Sequence, residues 1–230
     1  MRLIILFSLL FSLNTAVANI VVNGTRVIYP ASNKETIVQL VNSGSDPALV
    51  QSWIDDGDID STPETANVPF LLSPPVVKVS GNAGQQLRIK KLPSSLPTDR
   101  ESVFYLNILD IPPTPENLQG QNTMQLAIKT RIKLFYRPTD LKGGAEEGMS
   151  LVSASIEGKN FRLNNESPFY ITIANISDEK GDKVLSESLM IAPFNHAFAL
   201  AKSPIQSGKK YNLLYVDDLG AYKEKMITAK

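Results

Sequence analysis

Cysteine is absent from the chain, and histidine occurs only once among its 230 residues. Without cysteine the protein has no disulfide, no thiol nucleophile and no thiolate metal site, so its domains must be stabilised by their own hydrophobic cores. The one histidine, His196, would have to carry Ser-His-Asp hydrolysis alone, and no Gly-x-Ser-x-Gly motif accompanies it. The sequence therefore predicts no catalytic residue, no metal site and no cofactor.

The chain also lacks an excess of charge of either sign, with 23 basic and 23 acidic residues. A broad nucleic-acid-binding surface needs a basic excess, so nucleic acid is not an expected partner. The one long apolar run, residues 3–13, follows Arg2 and precedes Ala16-Val17-Ala18, which is typical of a cleaved signal peptide over residues 1–18. No later run approaches the roughly 20 apolar residues of a membrane helix, so we expect an exported protein that is not membrane-embedded.

The rest of the chain alternates short apolar runs with turn-rich segments about every ten residues, and its 15 prolines and 13 glycines are scattered. This spacing is typical of antiparallel β-sandwiches. A looser stretch at residues 139–148 predicts a hinge between two domains. The sequence therefore predicts an all-β protein with an N-terminal domain at 19–138 and a C-terminal domain at 149–230.

The longest two-residue period runs from Asn122 to Pro138. Met124, Leu126, Ile128, Ile132 and Leu134 share one parity, and Gln125, Lys129, Arg131 and Lys133 share the other. A strand places residues of equal parity on one face, so this pattern predicts a strand with an apolar and a cationic face, ended by Pro138. The period alone leaves open whether the apolar face packs on its own domain or receives a partner.

An acidic turn, Asp55-Asp-Gly-Asp58, has the composition of a calcium-binding loop. Counted from Asp55, the twelfth position, where such a loop carries its closing glutamate, is Ala66. We therefore expect a solvated acidic turn rather than a calcium site.

Arg26 lies inside a β-branched run, residues 20–29, that predicts a strand. Its side chain could be an edge-strand charge that points into water and deters aggregation. It could equally be an anion receptor, because a guanidinium presents a planar fork of donors that suits a carboxylate. The sequence around Arg26 leaves both interpretations open.

Two segments carry a family resemblance. Residues 96–112, from Leu96-Pro-Thr-Asp-Arg-Glu to Asn107-Ile-Leu-Asp-Ile-Pro, and Lys133-Leu-Phe-Tyr-Arg-Pro138 resemble signatures of periplasmic chaperones of the chaperone/usher pilus pathway. Residues 165–173, 190–194 and 216–220 resemble the second domain of the same family. The short connector between Pro113 and Gln121, with the lack of cysteine, resembles the family's short-loop branch.

The resemblance implies two immunoglobulin-like β-sandwich domains in a boomerang arrangement. It also implies a function in the periplasm: the protein would bind, fold and cap pilus or fimbrial subunits by donor-strand complementation and deliver them to an outer-membrane usher. The donated strand would present Met124, Leu126, Ile128 and Ile132.

The resemblance further implies two clusters of charge. Arg26 and Lys133 would anchor the terminal carboxylate of the subunit, and Glu101, Arg137 and Asp218 would fix the angle between the domains. Asp217 could replace Asp218 in this network, since the loop reads Asp217-Asp218-Leu-Gly.

Two other functions remain to be separated from this one. An exported adhesive or structural protein could have the same immunoglobulin-like domains without chaperone activity. A secreted hydrolase would have to use His196. The sequence also leaves open which subunits are bound and whether the free protein self-associates to cover its donated strand.

Overall fold

The computed structural model describes residues 19–113 and 125–230. The predicted signal peptide, nearly all of the connector and Met124 lie outside these residues. The fold is all-β, as predicted, with one short helix in the part of the chain that is described. No helix within these two ranges is long and apolar enough to cross a membrane.

The described part of the first half of the protein contains nine strands. They are β1 (Ile20–Val22), β2 (Arg26–Pro30), β3 (Thr36–Asn42), β4 (Ala48–Asp55), β5 (Phe70–Ser73), β6 (Val76–Val79), β7 (Gly84–Lys91), β8 (Ser102–Ile111) and β9 (Ile128–Arg137). One sheet has the order β1-β3-β7-β5 and the other β2-β9-β8-β4-β6. Fully buried side chains from both sheets, such as Leu40, Leu87, Leu106 and Leu134, form one core between them.

The first two strands belong to different sheets. β1 pairs with β3 in the four-stranded sheet, whereas β2 pairs in parallel with β9 in the five-stranded sheet. The chain crosses between the sheets at residues 23–25, where Gly24 has a φ of +115°, a conformation that residues with a Cβ rarely adopt. This crossing determines how much of β9 is covered by a neighbouring strand.

The second half contains one helix and seven strands. They are α1 (Ala145–Ser150), β10 (Val152–Glu157), β11 (Asn160–Asn165), β12 (Ile171–Ser177), β13 (Leu189–Ile191), β14 (Asn195–Leu200), β15 (Lys210–Val216) and β16 (Tyr222–Thr228). One sheet has the order β13-β12-β15-β16 and the other β10-β11-β14. A second core, separate from the first, includes the fully buried Phe161, Leu163, Ile171, Ile173 and Leu213.

Helix α1 was not predicted from the sequence. It begins inside the stretch 139–148, where the loose composition predicts a hinge. Ala145 and Met149 are buried and belong to the second core. The helix forms because these two apolar side chains, four residues apart, lie on one helical face and pack against the second sandwich.

Candidate functional site

Strand β9 places the predicted donor side chains in three different environments. It begins at Ile128, so Leu126, which was predicted to lie on the strand, precedes it, and Met124 lies outside the described residues. Leu134 is fully buried in the first core, and Ile132 is half-buried against the same core. Ile128 is 38% exposed and Leu126 is 69% exposed. The apolar face therefore begins in the domain's own core and continues into solvent.

One edge of β9 is only partly paired. β8 follows β9 from Ile128 to Tyr136 on one side. On the other side β2 pairs only with residues from Lys133 to Arg137. Within residues 19–113 and 125–230 no strand covers the second edge of residues 128–132, a segment called the open edge below. Its unpaired backbone N–H and C=O groups are a template for another strand.

The two cations predicted to form an anchor meet where the open edge ends. Arg26 and Lys133 are register partners on β2 and β9. Neighbouring strands lie about 4.8 Å apart, and register partners present their side chains on the same face. The Arg26 guanidinium donates a hydrogen bond of 3.3 Å to the carbonyl oxygen of Val216 from the second sandwich, and its Cζ lies 6.0 Å from the centre of the Phe135 ring.

Both cations are partly removed from water. Burial lowers the pKa of Lys133, and the nearby charges of Arg26 and Arg131 lower it further. Burial also lowers the pKa of Arg26, although Asp218 and Asp217 have the opposite effect. Neither cation forms an ion pair within the described part of the chain. Two desolvated, unpaired cations on one face are suited to bind an anion, and a carboxylate matches the guanidinium fork.

The three predicted network residues also meet, and they join the two sandwiches. Arg137 donates to Glu101 at 2.8 Å and to both carboxylate oxygens of Asp218, at 2.7 and 3.0 Å. The second oxygen of Glu101 accepts a hydrogen bond of 2.9 Å from the backbone N–H of Tyr170. Burial raises the pKa of Glu101, and the charge of Arg137 counteracts this rise. Arg137 therefore compensates a carboxylate that is almost completely buried.

The two adjacent aspartates have different positions. Asp218 forms the ion pair with Arg137, and Asp217 instead accepts hydrogen bonds from the backbone of Leu219 and Ala221 within the β15–β16 turn. Gly144 packs directly against the Asp218 carboxylate, so closely that a Cβ at this position would overlap it.

A further ion pair, between Asp55 and Arg131, was not predicted. We expected Asp55 to lie in a solvated turn, and this expectation is wrong for its side chain, which is 1% exposed. Arg131 donates to both of its oxygens, at 2.5 and 3.0 Å, and stacks over the Tyr105 ring at 3.7 Å. The two residues are 76 positions apart, so no local sequence pattern could have indicated the pair.

His196 is exposed on β14, where its ring meets the Phe198 ring edge-on at 5.4 Å. The described residues contain no group of three or more histidines and acidic residues that could hold a metal ion.

Comparisons with known proteins identify both halves of the chain. Residues 19–142 match the family model "Pili and flagellar-assembly chaperone, PapD N-terminal domain", and residues 147–226 match "Pili assembly chaperone PapD, C-terminal domain". The probable fimbrial chaperone YehC of Escherichia coli is 42% identical over 205 residues, which are 89% of this chain and 84% of YehC.

Two solved structures have the same fold. The CupB2 chaperone of Pseudomonas aeruginosa is 31% identical, with a TM-score of 0.79 over 91% of this chain and 100% of that one. The structure of Salmonella enterica SafA pilin in complex with the SafB chaperone matches with 25% identity and a TM-score of 0.81 over 93% of this chain and 98% of that one. The protein therefore belongs to the family of pili assembly chaperones.

Proposed function

We propose that the protein is a periplasmic chaperone that lends strand β9 to pilus subunits, keeps them from aggregating and delivers them to an outer-membrane usher. The open edge of residues 128–132, which ends at Arg26 and Lys133, carries this proposal. The SafA–SafB complex supports a pilus subunit as the partner, because SafB is similar to this chain across both of its halves.

Strand addition uses both the backbone and the side chains of β9. The unpaired groups of the open edge can form ladder hydrogen bonds with a strand of the subunit. Leu126 and Ile128 then enter the incomplete core of that subunit, and Ile132 lies on the same face as Ile128. Met124, which lies outside the described residues, is expected to join them because it has the same parity in the sequence. Each side chain that becomes fully buried contributes roughly 1.5–3 kcal/mol, so a few of them protect the subunit without any nucleotide.

The two cations determine where the subunit strand ends. β2 runs parallel to β9 and occupies the same edge from Lys133 onward. A subunit strand that runs in the same direction along residues 128–132 meets Arg26 with its carboxyl end. A one-residue slip would turn every side chain to the other face, so a fixed terminal carboxylate sets which subunit residues are matched with β9.

The interdomain network keeps this anchor assembled. Arg137 joins Glu101 from the first sandwich to Asp218 from the second, and the carbonyl oxygen of Val216, two residues before Asp218, holds the Arg26 guanidinium. A change in the angle between the sandwiches would move that carbonyl oxygen away from Arg26. Glu101, Arg137 and Asp218 thus act as positioning residues for the anchor.

Export and domain organisation complete the proposal. Residues 1–18 direct the chain to the periplasm and are removed. Residues 19–138 are the domain that donates the strand, residues 139–148 the hinge and residues 149–230 the second domain. The helix α1 that begins in the hinge places the backbone of Ala145 near the Asp218 carboxylate.

Replacement of Lys133 tests this function. The protein is expressed in the bacterial periplasm together with a pilus subunit, and the soluble subunit is measured. We expect Lys133→Gln to lower the recovered subunit at least tenfold, because a charge-assisted hydrogen bond to the carboxylate is worth about 1.5–3 kcal/mol. The matched control is Lys129→Gln, which removes a cation from the same face of β9. The amino group of Lys129 already donates to the Ile59 carbonyl oxygen.

Normal subunit recovery with Lys133→Gln would contradict the anchor. If the wild-type protein neither raises the amount of soluble subunit nor co-purifies with it, the adhesive or structural alternative replaces the chaperone.

A further inference from the structure

The Asp55–Arg131 ion pair lies beside the anchor, on the same face of β9. Arg131 and Lys133 are two residues apart, so their side chains share this face. The Arg131 side chain crosses the Tyr105 ring and reaches the Asp55 carboxylate at the end of β4. The Arg131 side chain is 19% exposed and the Asp55 side chain is 1% exposed. A cation next to the anchor is therefore already neutralised within the chaperone.

Other donors hold the Asp55 carboxylate in place. The side-chain amide of Asn107 donates to one oxygen at 2.6 Å, and the backbone N–H of Gly57 donates to the other at 2.7 Å. Burial alone would raise the pKa of the Asp55 carboxyl, but the hydrogen bonds from Arg131 and Asn107 lower it below its ordinary value. The carboxylate is thus charged and fully coordinated at neutral pH, and Arg131 has a fixed partner.

A two-residue slip is the error that strand addition along β9 is least able to prevent. A slip by one residue exposes the apolar face of the subunit strand, but a slip by two keeps every side chain on its proper face. It moves the strand by about 6.6 Å and brings its terminal carboxylate from Lys133 to Arg131. If Arg131 were free, the slipped register would also have a cation for the carboxylate.

We propose that Asp55 determines the register of the bound subunit strand by masking Arg131, so that Arg26 and Lys133 are the cations left for the terminal carboxylate. This inference rests on the proposed function. Asp55 is a specificity-determining residue that does not touch the subunit. If the ion pair served stability alone, its loss would make the protein easier to unfold and leave one register.

The register is measured as a distance between two spin labels. Because the chain has no cysteine, a label attaches only where a cysteine is introduced. Asp140→Cys, in an exposed turn beyond the end of β9, carries the first label on the mature chain. The second is on the amino-terminal cysteine of a twelve-residue peptide of alternating valine and serine with a free terminal carboxylate. Pulsed electron–electron double resonance then measures the distances between the two labels in the complex.

We expect one distance with otherwise wild-type protein and a second, about 6.6 Å longer, with Asp55→Asn. The double variant Asp55→Asn/Arg131→Gln should restore the single distance, because it removes the second cation. Glu35→Gln, which removes a carboxylate paired with Arg88 on the other sheet, should keep one distance. Thermal unfolding confirms that each variant is folded, and Asp55→Ser replaces Asp55→Asn if the asparagine variant is not.

The outcomes separate the inference from the proposed function. If a folded Asp55 variant, in which Arg131 has lost its partner, gives a single distance equal to that of the wild type, Asp55 does not mask Arg131. That result would overturn the inference and leave the anchor intact. If amidation of the peptide's terminal carboxylate has no effect on the distances in the wild-type protein, the anchor itself is wrong, and the inference is wrong with it.

Discussion

The two ends of β9 have opposite environments, although they belong to one strand of ten residues. At the carboxyl end, Leu134 lies in the core and Arg137 is paired with two carboxylates. At the amino end, Ile128 and the preceding Leu126 are exposed, and one edge of the strand is open. The carboxyl end is completed within the chaperone. The amino end has the groups needed to complete another protein, and Lys133 lies at the boundary.

Loss of Arg137 should have the largest effect on stability. Arg137→Leu leaves the buried Glu101 without its cation, and breaking one side of a buried ion pair costs about 3–5 kcal/mol. We expect a decrease of this size in the free energy of unfolding, measured by urea denaturation. Arg162→Leu, which removes the cation of an exposed pair with Glu157, should cost at most about 1 kcal/mol. Equal effects of the two variants would contradict the claim that the ion pairs of Arg137 at the carboxyl end of β9 stabilise the chaperone.

Two leucines, Leu134 on β9 and Leu126 just before it, should separate effects on stability from effects on subunit binding. Leu134→Ala should lower the free energy of unfolding by about 2–5 kcal/mol, because it leaves a cavity in the core. Leu126→Ser should leave this free energy unchanged and weaken subunit binding by about 1.5–3 kcal/mol, or roughly 10- to 150-fold. Leu151→Ser, at an exposed leucine outside β9, is the control for both measurements. A Leu126→Ser variant that is less stable but binds the subunit normally would contradict the role of Leu126 in binding.

The pH dependence of stability should reveal the Asp55–Arg131 pair. The pKa of Asp55 is lowered in the folded protein from its ordinary value of 3.8. Its contribution to stability is therefore present above about pH 4 and is lost as the pH falls through the lowered pKa. The free energy of unfolding of Asp55→Asn/Arg131→Gln should fall less steeply below pH 4 than that of the wild type. Parallel curves would show that the pair contributes nothing there.

The smallest effect on stability is expected at Lys133. Its lowered pKa means that the folded protein disfavours this charge, so the free energy of unfolding of the neutral Lys133→Gln variant should be equal to or higher than that of the wild type. The same variant should lose subunit binding. A loss of stability of 2 kcal/mol or more in urea denaturation would show that Lys133 stabilises the chaperone itself, as the carboxyl end of β9 does.

The sequence predicted β9 and its alternation, because the period of two persists whichever partner covers the strand. It could not predict where the domain's own core ends along β9. That limit depends on the crossing of the first strand at Gly24, more than 100 residues earlier in the chain, which determines how much of the edge β2 covers. Leu134 and Leu126 share the parity of the pattern, yet Leu134 lies on β9 in the core, whereas Leu126 precedes the strand and is exposed.

The charged residues show the same division. Arg26, Lys133, Glu101, Arg137 and Asp218 could be named because their segments resemble family motifs, and the structure places them in two clusters. No motif named Asp55 and Arg131 as partners. Their contact needs β4, β8 and β9 in register, with Tyr105 between them, and that register is a property of the folded sheet.

Amide hydrogen exchange of β9 with and without a bound pilus subunit is the most direct test of the open edge. We expect amides of residues 128–132 that face the open edge to become protected when the subunit binds, whereas residues 134–137 should be protected in both states. Exchange at residues 128–132 that is identical in the free and the bound chaperone would contradict strand donation.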